Sequence, residues 1–235
     1  CFRKCFYHFK HTSFLEKRQN RIMERVSRKP VQGVINIIRF NWHYYIIAFA
    51  LIGVLLLIKN YLPHQLNEVA LIIVKLSILS IIVSLTVSWF IYDYSGLYSL
   101  EWLNILKIKP EQKLVNINAG FDETSSILIE KYPDSKLSVF DFYDHRKHTE
   151  ISIERARKAY PAFPGTKIIS TNDIPLQTNS VDYIFLILSA HEIRNDEERI
   201  TFFKQLGNSL NADGKIIVVE HQRDFFNFIA YNFGS

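Results

Sequence analysis

The stretch LVNINAGFDETSS (114–126) decides how this chain reads. A strand-like run, Leu114, Val115 and Ile117, leads into Asn118-Ala119-Gly120-Phe121-Asp122, and a helical pattern follows. Strand, glycine-bearing turn and helix form the frame of a ligand loop at the carboxyl end of a parallel strand. Dinucleotide-binding loops carry G-x-G-x-x-G, and of those glycines only Gly120 stands here. Gly120 allows a positive φ or a close approach of the backbone to a ligand. Asp122 occupies a position where a dinucleotide loop needs glycine. At the start of the following helix an Asp is a good cap, but its charge would repel a pyrophosphate.

Outward from this loop, apolar runs of strand length alternate with amphipathic stretches. KLVNI (113–117), KLSVF (136–140), KIIS (167–170), DYIFLIL (182–188) and KIIVVE (215–220) are separated by TSSILIEKY, TEISIERARKAY and EERITFFKQLGNSL. Strands alternating with helices predict an α/β fold with a doubly wound, mostly parallel, Rossmann-like sheet. NADGK (211–215) reads as a turn feeding the last strand, Asp182 as structural, and ERARK (154–158) as the solvated face of a helix. Asp141 ends the second strand, 21 residues after Gly120, where an acid can accept both hydroxyls of a ribose. Asp144, in the turn DFYDHRKH, is its rival. An acid for a ribose beside a loop hostile to pyrophosphate favours a phosphate-free cationic nucleoside. S-adenosylmethionine, with its sulfonium and ammonium groups, is such a ligand.

The first hundred residues have another texture. YYIIAFALIGVLLLI (44–58) carries no charge and, with its flanks from Trp42 to about Leu62, is long enough to cross a hydrocarbon core of ~30 Å. VALIIVKLSILSIIVSLTVSWFIY (69–92) is equally long and closes on Trp89 and Tyr92, which suit a membrane–water interface. Lys75 lies inside it and must snorkel, unless the span begins nearer Leu76. A pair of buried core helices is the competing explanation. The chain thus divides into a basic arm (1–41), two transmembrane helices (about 42–62 and 69–92) and an α/β domain (93–235). Residues 1–41 hold 10 Lys/Arg against Glu16 and Glu24, a net of +8, whereas the connection between the spans carries only Lys59. Positive charge stays cytoplasmic, so both termini and the α/β domain are expected on the cytoplasmic face of a multi-pass membrane protein, with the arm against anionic headgroups.

The remaining 194 residues hold 18 Lys/Arg against 21 Asp/Glu, a net of −3, so the basic pI near 9.1 belongs to the arm. That argues against nucleic acid as a partner, since such a domain carries its basic face on the folded unit. Cys1 and Cys5 are the only cysteines, and no cluster has metal-ligand spacing; the two imidazoles of HRKH (145–148) read as a solvated loop. The sole methionine, Met23, leaves residues 1–22 readable as a leader.

From about residue 93 onward the chain resembles the class I S-adenosylmethionine-dependent methyltransferases, of the ubiquinone/menaquinone-methyltransferase-like type. LVNINAGFDETS resembles the family's glycine loop and LSVFD its second strand with the ribose acid. IPLQTNSVDYIFLILSAHEI and LNADGKIIVVEH are similar to its fourth and fifth strands. The departures are Asn118 and Asp122 in place of the loop's outer glycines, and NADG in place of Pro-Gly-Gly. The family has seven strands, and this chain stops at Ser235 after the fifth, with RDFFNFIAYNFGS reading as the start of the next helix, so a C-terminally incomplete domain is expected.

The resemblance implies S-adenosyl-L-methionine held by Asn118, Ala119, Gly120, Asp122 and Asp141, with Asn172 or Asp173 at the adenine amino group. It also implies that His191 or His221, after the fourth and fifth strands, meets the acceptor, as a base where a hydroxyl must be deprotonated. His191 alternatively caps the helix NDEERITFFKQL. Tyr94 or Tyr98 is a candidate lid. The expectation is therefore a membrane-anchored transferase methylating oxygen or carbon of a lipophilic small molecule or lipid. Its rivals are a tethered scaffold that kept the fold without the chemistry, and an NAD-dependent or nucleotide-sugar enzyme, which Asp122 disfavours.

Overall fold

The computed structural model describes residues 28–221. Cys1, Cys5, Met23, the stretch 1–22 readable as a leader and the helix expected in 223–235 lie outside the described residues. Among the described residues three helices precede the sheet: α1 (Gln32–Phe40), α2 (Trp42–Ile58) and α3 (His64–Trp89). A single π turn (Phe90–Tyr94) and two 3-10 segments (Leu97–Ser99, Glu101–Leu106) lead into the sheet-bearing half. There β1 (Lys113–Asn118), α4 (Ser125–Lys131), β2 (Lys136–Asp141), α5 (Ile151–Ala159) and β3 (Lys167–Ile168) follow in turn. β4 (Val181–Ile187), α6 (Asp196–Ser209) and β5 (Leu210–Val219) complete it.

The five strands among the described residues are all parallel, in the order β3-β2-β1-β4-β5. β1 therefore has β2 on one side and β4 on the other, and the chain reverses its direction of winding at that point. Alternate side chains feed two cores, as a sheet covered on both faces requires. Ile184 and Leu186 point to one with Val115, Ile117, Phe140, Phe202 and Leu206, and Tyr183, Phe185 and Ile187 to the other with Leu114 and Leu128. Leu100 and Leu103, from the segment joining α3 to the sheet, are wholly buried in the second core. The fold is a doubly wound parallel α/β sheet of Rossmann type.

The last strand differs from its expected outline. Pairing with β4 jumps from Val181↔Leu210 to Tyr183↔Lys215, so Asn211–Asp213 and Gly214 bulge out of the ladder. Asp182 holds this corner, accepting from the Lys113 N–H at 2.8 Å and from Asn211 Nδ2 at 2.8 Å. Its role is structural, as expected.

α2, extended by a 3-10 turn to Tyr61, and α3 are long and apolar enough to cross a membrane. At 1.5 Å per residue the 17 residues of α2 reach ~25 Å and the 26 of α3 ~39 Å. Pro63 starts α3 at His64, five residues before the expected span, because proline's fixed φ suits the entry to a helix. Ile52 is the one buried residue of α2, and Lys75 lies exposed near the middle of α3.

Within the stretch read as an arm, α1 is a helix seated on the α/β domain. Its N-terminal N–H groups are capped from a distance by Asp93, whose carboxylate accepts from Gly33 N at 2.7 Å and Val34 N at 3.0 Å. Gly33 is required by this contact, since a Cβ there would lie 2.4 Å from Tyr92 Cβ. Gly33→Ala is expected to unseat α1. Hydrogen exchange should then show loss of protection across 33–40 with the sheet unchanged.

Candidate functional site

The site is built at the carboxyl ends of β1 and β2. Register places Asn118 beside Asp141, so the two strand ends present one edge. Asn118 is buried and spends its amide on the backbone: Nδ2 donates to Phe140 O at 3.1 Å and Oδ1 accepts from Gly120 N at 3.1 Å. It shapes the turn. Ala119 is buried beneath, and Gly120 takes φ +99°, one of the two uses the sequence allowed it. Neighbouring side chains crowd the position, since a Cβ would lie 2.9 Å from both Arg157 Nη1 and Tyr143 Cδ2.

Asp122 Oδ1 accepts from Thr124 N at 3.0 Å and Ser125 N at 2.9 Å, so it caps α4 although Thr124 is the last residue before the helix. Among the described residues its buried Oδ2 has no hydrogen-bond partner. Burial raises its pKa, against the lowering hydrogen bonds from Ser125 and Thr124, and the nearby Asp141 charge raises it further. Asn116, fully buried in the middle of β1, supports the same turn by donating Nδ2 to Thr124 Oγ1 at 2.9 Å and Ser125 Oγ at 2.8 Å. An amide inside an otherwise apolar strand was its signal in the sequence.

Asp141 is buried at the end of β2. Oδ1 accepts from Tyr143 N at 2.9 Å, and Oδ2 is ion-paired with Arg157 Nη1 at 2.5 Å. Arg157 comes from α5, lies over the Tyr143 ring at 4.3 Å and also donates to Gly120 O at 3.2 Å. One guanidinium thus bridges the glycine turn and the strand-end acid. ERARK is therefore more than a solvated face. Asp144, the rival acid, is turned to Arg146, whose hydrogen bonds lower its pKa to about 2.

The structure does not join Asn172 or Asp173 to this cluster. Both are exposed in the turn after β3, and among the described residues neither side chain hydrogen-bonds to the loop. His148 is buried rather than solvated and accepts from Asp144 N at 2.9 Å.

At the ends of β4 and β5 the organiser is Glu220. Its Oε1 accepts from Ser189 N at 2.9 Å and Ala190 N at 2.6 Å, and its Oε2 pairs with His191 Nδ1 at 2.6 Å. Burial lowers the His191 pKa, but hydrogen bonds and charge from Glu192 and Glu220 outweigh it and raise the value to about 10. His191 is held as an imidazolium at neutral pH, a state that cannot accept a proton. The helix after it is capped by Asn195, whose Oδ1 accepts from Glu198 N at 2.8 Å. His221 differs: burial and the His191 charge lower its pKa, and Nε2 meets Tyr92 Oη at 2.9 Å. Of the two histidines it has the protonation state of a base. Because the folded pKa of His191 lies above the ordinary 6.5, its contribution to stability is complete below pH 6.5 and fades as pH rises toward 10. NMR titration should find its midpoint near pH 10, and Glu220→Gln should move it down toward 6.5.

The loop is roofed by α1. Phe40 packs edge-on against Phe121 at 5.8 Å, and Tyr160 Oη donates to Asn36 Oδ1 at 2.9 Å. Glu123, the residue after Asp122, accepts from Arg28 Nη1 at 3.1 Å and Asn36 Nδ2 at 3.5 Å. Burial raises the Glu123 pKa against the opposing Arg28 charge, and burial likewise pushes the Tyr98 phenol well up. Tyr98 lies under Arg28, 3.7 Å from guanidinium to ring, and is part of this roof.

No family model matches this chain, and no curated protein matches it in sequence. Solved structures similar to it include a Pyrococcus horikoshii protein, at 18% identity and a TM-score of 0.37 over 53% of this chain and 56% of that one. Phosphoethanolamine N-methyltransferase 1 of Haemonchus contortus, solved with phosphoethanolamine and S-adenosylhomocysteine, has 20% identity and a TM-score of 0.39 over 55% and 26%. A SAM-dependent methyltransferase of Leishmania major has 17% identity and a TM-score of 0.36 over 52% and 50%. The chain spans about half the length of two of these proteins and about a quarter of the other.

Proposed function

We propose that this chain is a membrane-anchored S-adenosylmethionine-dependent methyltransferase acting on a lipophilic small molecule or lipid. The observation that carries the reading is the meeting of Gly120, at φ +99°, with buried Asp141 on adjacent carboxyl ends of a parallel sheet, at the point where strand order reverses. Ligands of open α/β sheets collect at that point. The residues fit a cationic nucleoside: Asp141 for the ribose, Gly120 for close approach, and Asp122, whose buried Oδ2 has no partner among the described residues, for positive charge. Binding requires Arg157 to leave Asp141, and its side chain, about a third exposed, has solvent to swing into.

When bound, S-adenosylmethionine supplies an activated methyl group on a good leaving group. The protein then has mainly to hold donor and acceptor in line. For a hydroxyl acceptor, His221 is the base, positioned by Tyr92 at the exit of α3. His191, fixed by Glu220, shapes the acceptor side. The helices α2 and α3 serve as the anchor, which keeps the site where lipophilic acceptors partition.

A scaffold without chemistry is the second reading, and Arg157 favours it because the guanidinium already satisfies the acid. Binding assays in detergent with S-adenosylmethionine, S-adenosylhomocysteine and NAD separate these readings. Selective binding of the first two supports the transferase; binding of none supports the scaffold, and preference for NAD refutes both.

A further inference from the structure

α1 has two faces. Gly33, Asn36 and Phe40, three and four residues apart, are buried against the α/β domain and the π turn. Ile35 and Ile38 point the opposite way, 52% and 39% exposed, flanked by Val31 at one end and Trp42 at the other, 44% and 48% exposed. At about 100° per residue the two sets fall on opposite sides of the helix. A soluble helix normally sets its apolar stripe on the core and its polar face on water. Here the domain-facing side carries the polar contacts, including Asn36 to Tyr160, and the isoleucines face outward.

What covers that stripe is indicated by what it joins. Beyond Asn41, where the helix breaks, it runs directly into α2, whose exposed surface includes Tyr44, Ile46, Ile47 and Leu51. Exposed Arg39 and Lys29 flank it, and the sequence up to residue 41 carries a net charge of +8. An apolar stripe with cationic flanks, next to a span that opens on exposed Trp42 and Tyr44, is the pattern of a helix lying in a membrane interface.

We infer that α1 lies in the interfacial layer of an anionic phospholipid bilayer, with Ile35 and Ile38 in lipid and its other face holding the glycine loop. The inference rests on the membrane-anchor part of the proposed function and not on the methyl-transfer part. Its consequence is that the roof over Phe121 and Glu123 is ordered by the bilayer, which sets the mouth of the site at headgroup level.

The test uses the full chain with Cys1 and Cys5 replaced by serine, in vesicles of phosphatidylcholine and phosphatidylserine. A polarity-sensitive fluorophore is attached at Ile35→Cys or, independently, Ile38→Cys. Leu51→Cys in α2 and Glu197→Cys on α6 are the membrane and solvent references. Brominated lipids should quench labels at 35 and 38 several times more than the label at 197, with a depth of about 5–10 Å below the headgroups, shallower than at 51. Labels at 35 and 38 that match 197 while 51 is quenched would overturn the inference and leave the anchor standing. No quenching at any position would overturn both, and neither result touches the methyltransferase reading.

Discussion

Gly120→Val is expected to abolish S-adenosylmethionine binding while the domain stays folded. At φ +99° a β-branched residue is strained, at about 1–3 kcal/mol, and its Cβ would also meet Arg157 and Tyr143 at 2.9 Å. Arg157 can swing into solvent, but the backbone strain and the Tyr143 ring remain, and relieving them shifts the turn relative to Asp141. A domain stability of roughly 5–15 kcal/mol survives a local cost of that size. Thermal unfolding followed by circular dichroism should therefore show a modest loss, and calorimetric titration should show no heat of binding. Binding at the original affinity would mean that the ligand sits elsewhere.

Asp141→Ala and Arg157→Ala should act in opposite directions. Removing the carboxylate leaves the ribose hydroxyls and the Tyr143 N–H without an acceptor, so affinity falls by about 1–3 kcal/mol, roughly 5- to 150-fold. Removing the guanidinium leaves Asp141 free for the ligand, and affinity rises because no ion pair has to open first. Equilibrium titration of both variants checks the pair of signs. If Arg157→Ala weakened binding instead, the arginine would belong to the ligand site rather than compete for it.

What was legible in the sequence follows from range. The strands of the α/β domain are legible as unbroken apolar runs, which the burial of β1 and β4 on both faces explains. The positions of Gly120 and Asp141 at neighbouring strand ends are legible because a strand end followed by a glycine turn, and an acid one strand later, are local patterns. Arg157 is not, because its contact with Asp141 depends on how α5 packs across 16 residues of chain. The reach of Glu220 back to Ser189 and His191, across neighbouring strands, has no local signature, so the sequence leaves His191 open as a base, an acceptor contact or a cap and gives no sign of the carboxylates that raise its pKa. α1 hid inside a basic arm because its apolar positions face away from the domain, and its N-terminus is capped by Asp93, 60 residues later. Asn172 and Asp173 were placed by family spacing alone, and the turn after the two-residue β3 carries them outward.

The most direct measurement is calorimetric titration of S-adenosylmethionine and S-adenosylhomocysteine into the purified full chain, beside Asp141→Ala. Saturable binding of both ligands, weakened in the variant, is the predicted result. An intact, folded protein that takes up neither ligand, or that binds them equally well without Asp141, would contradict it.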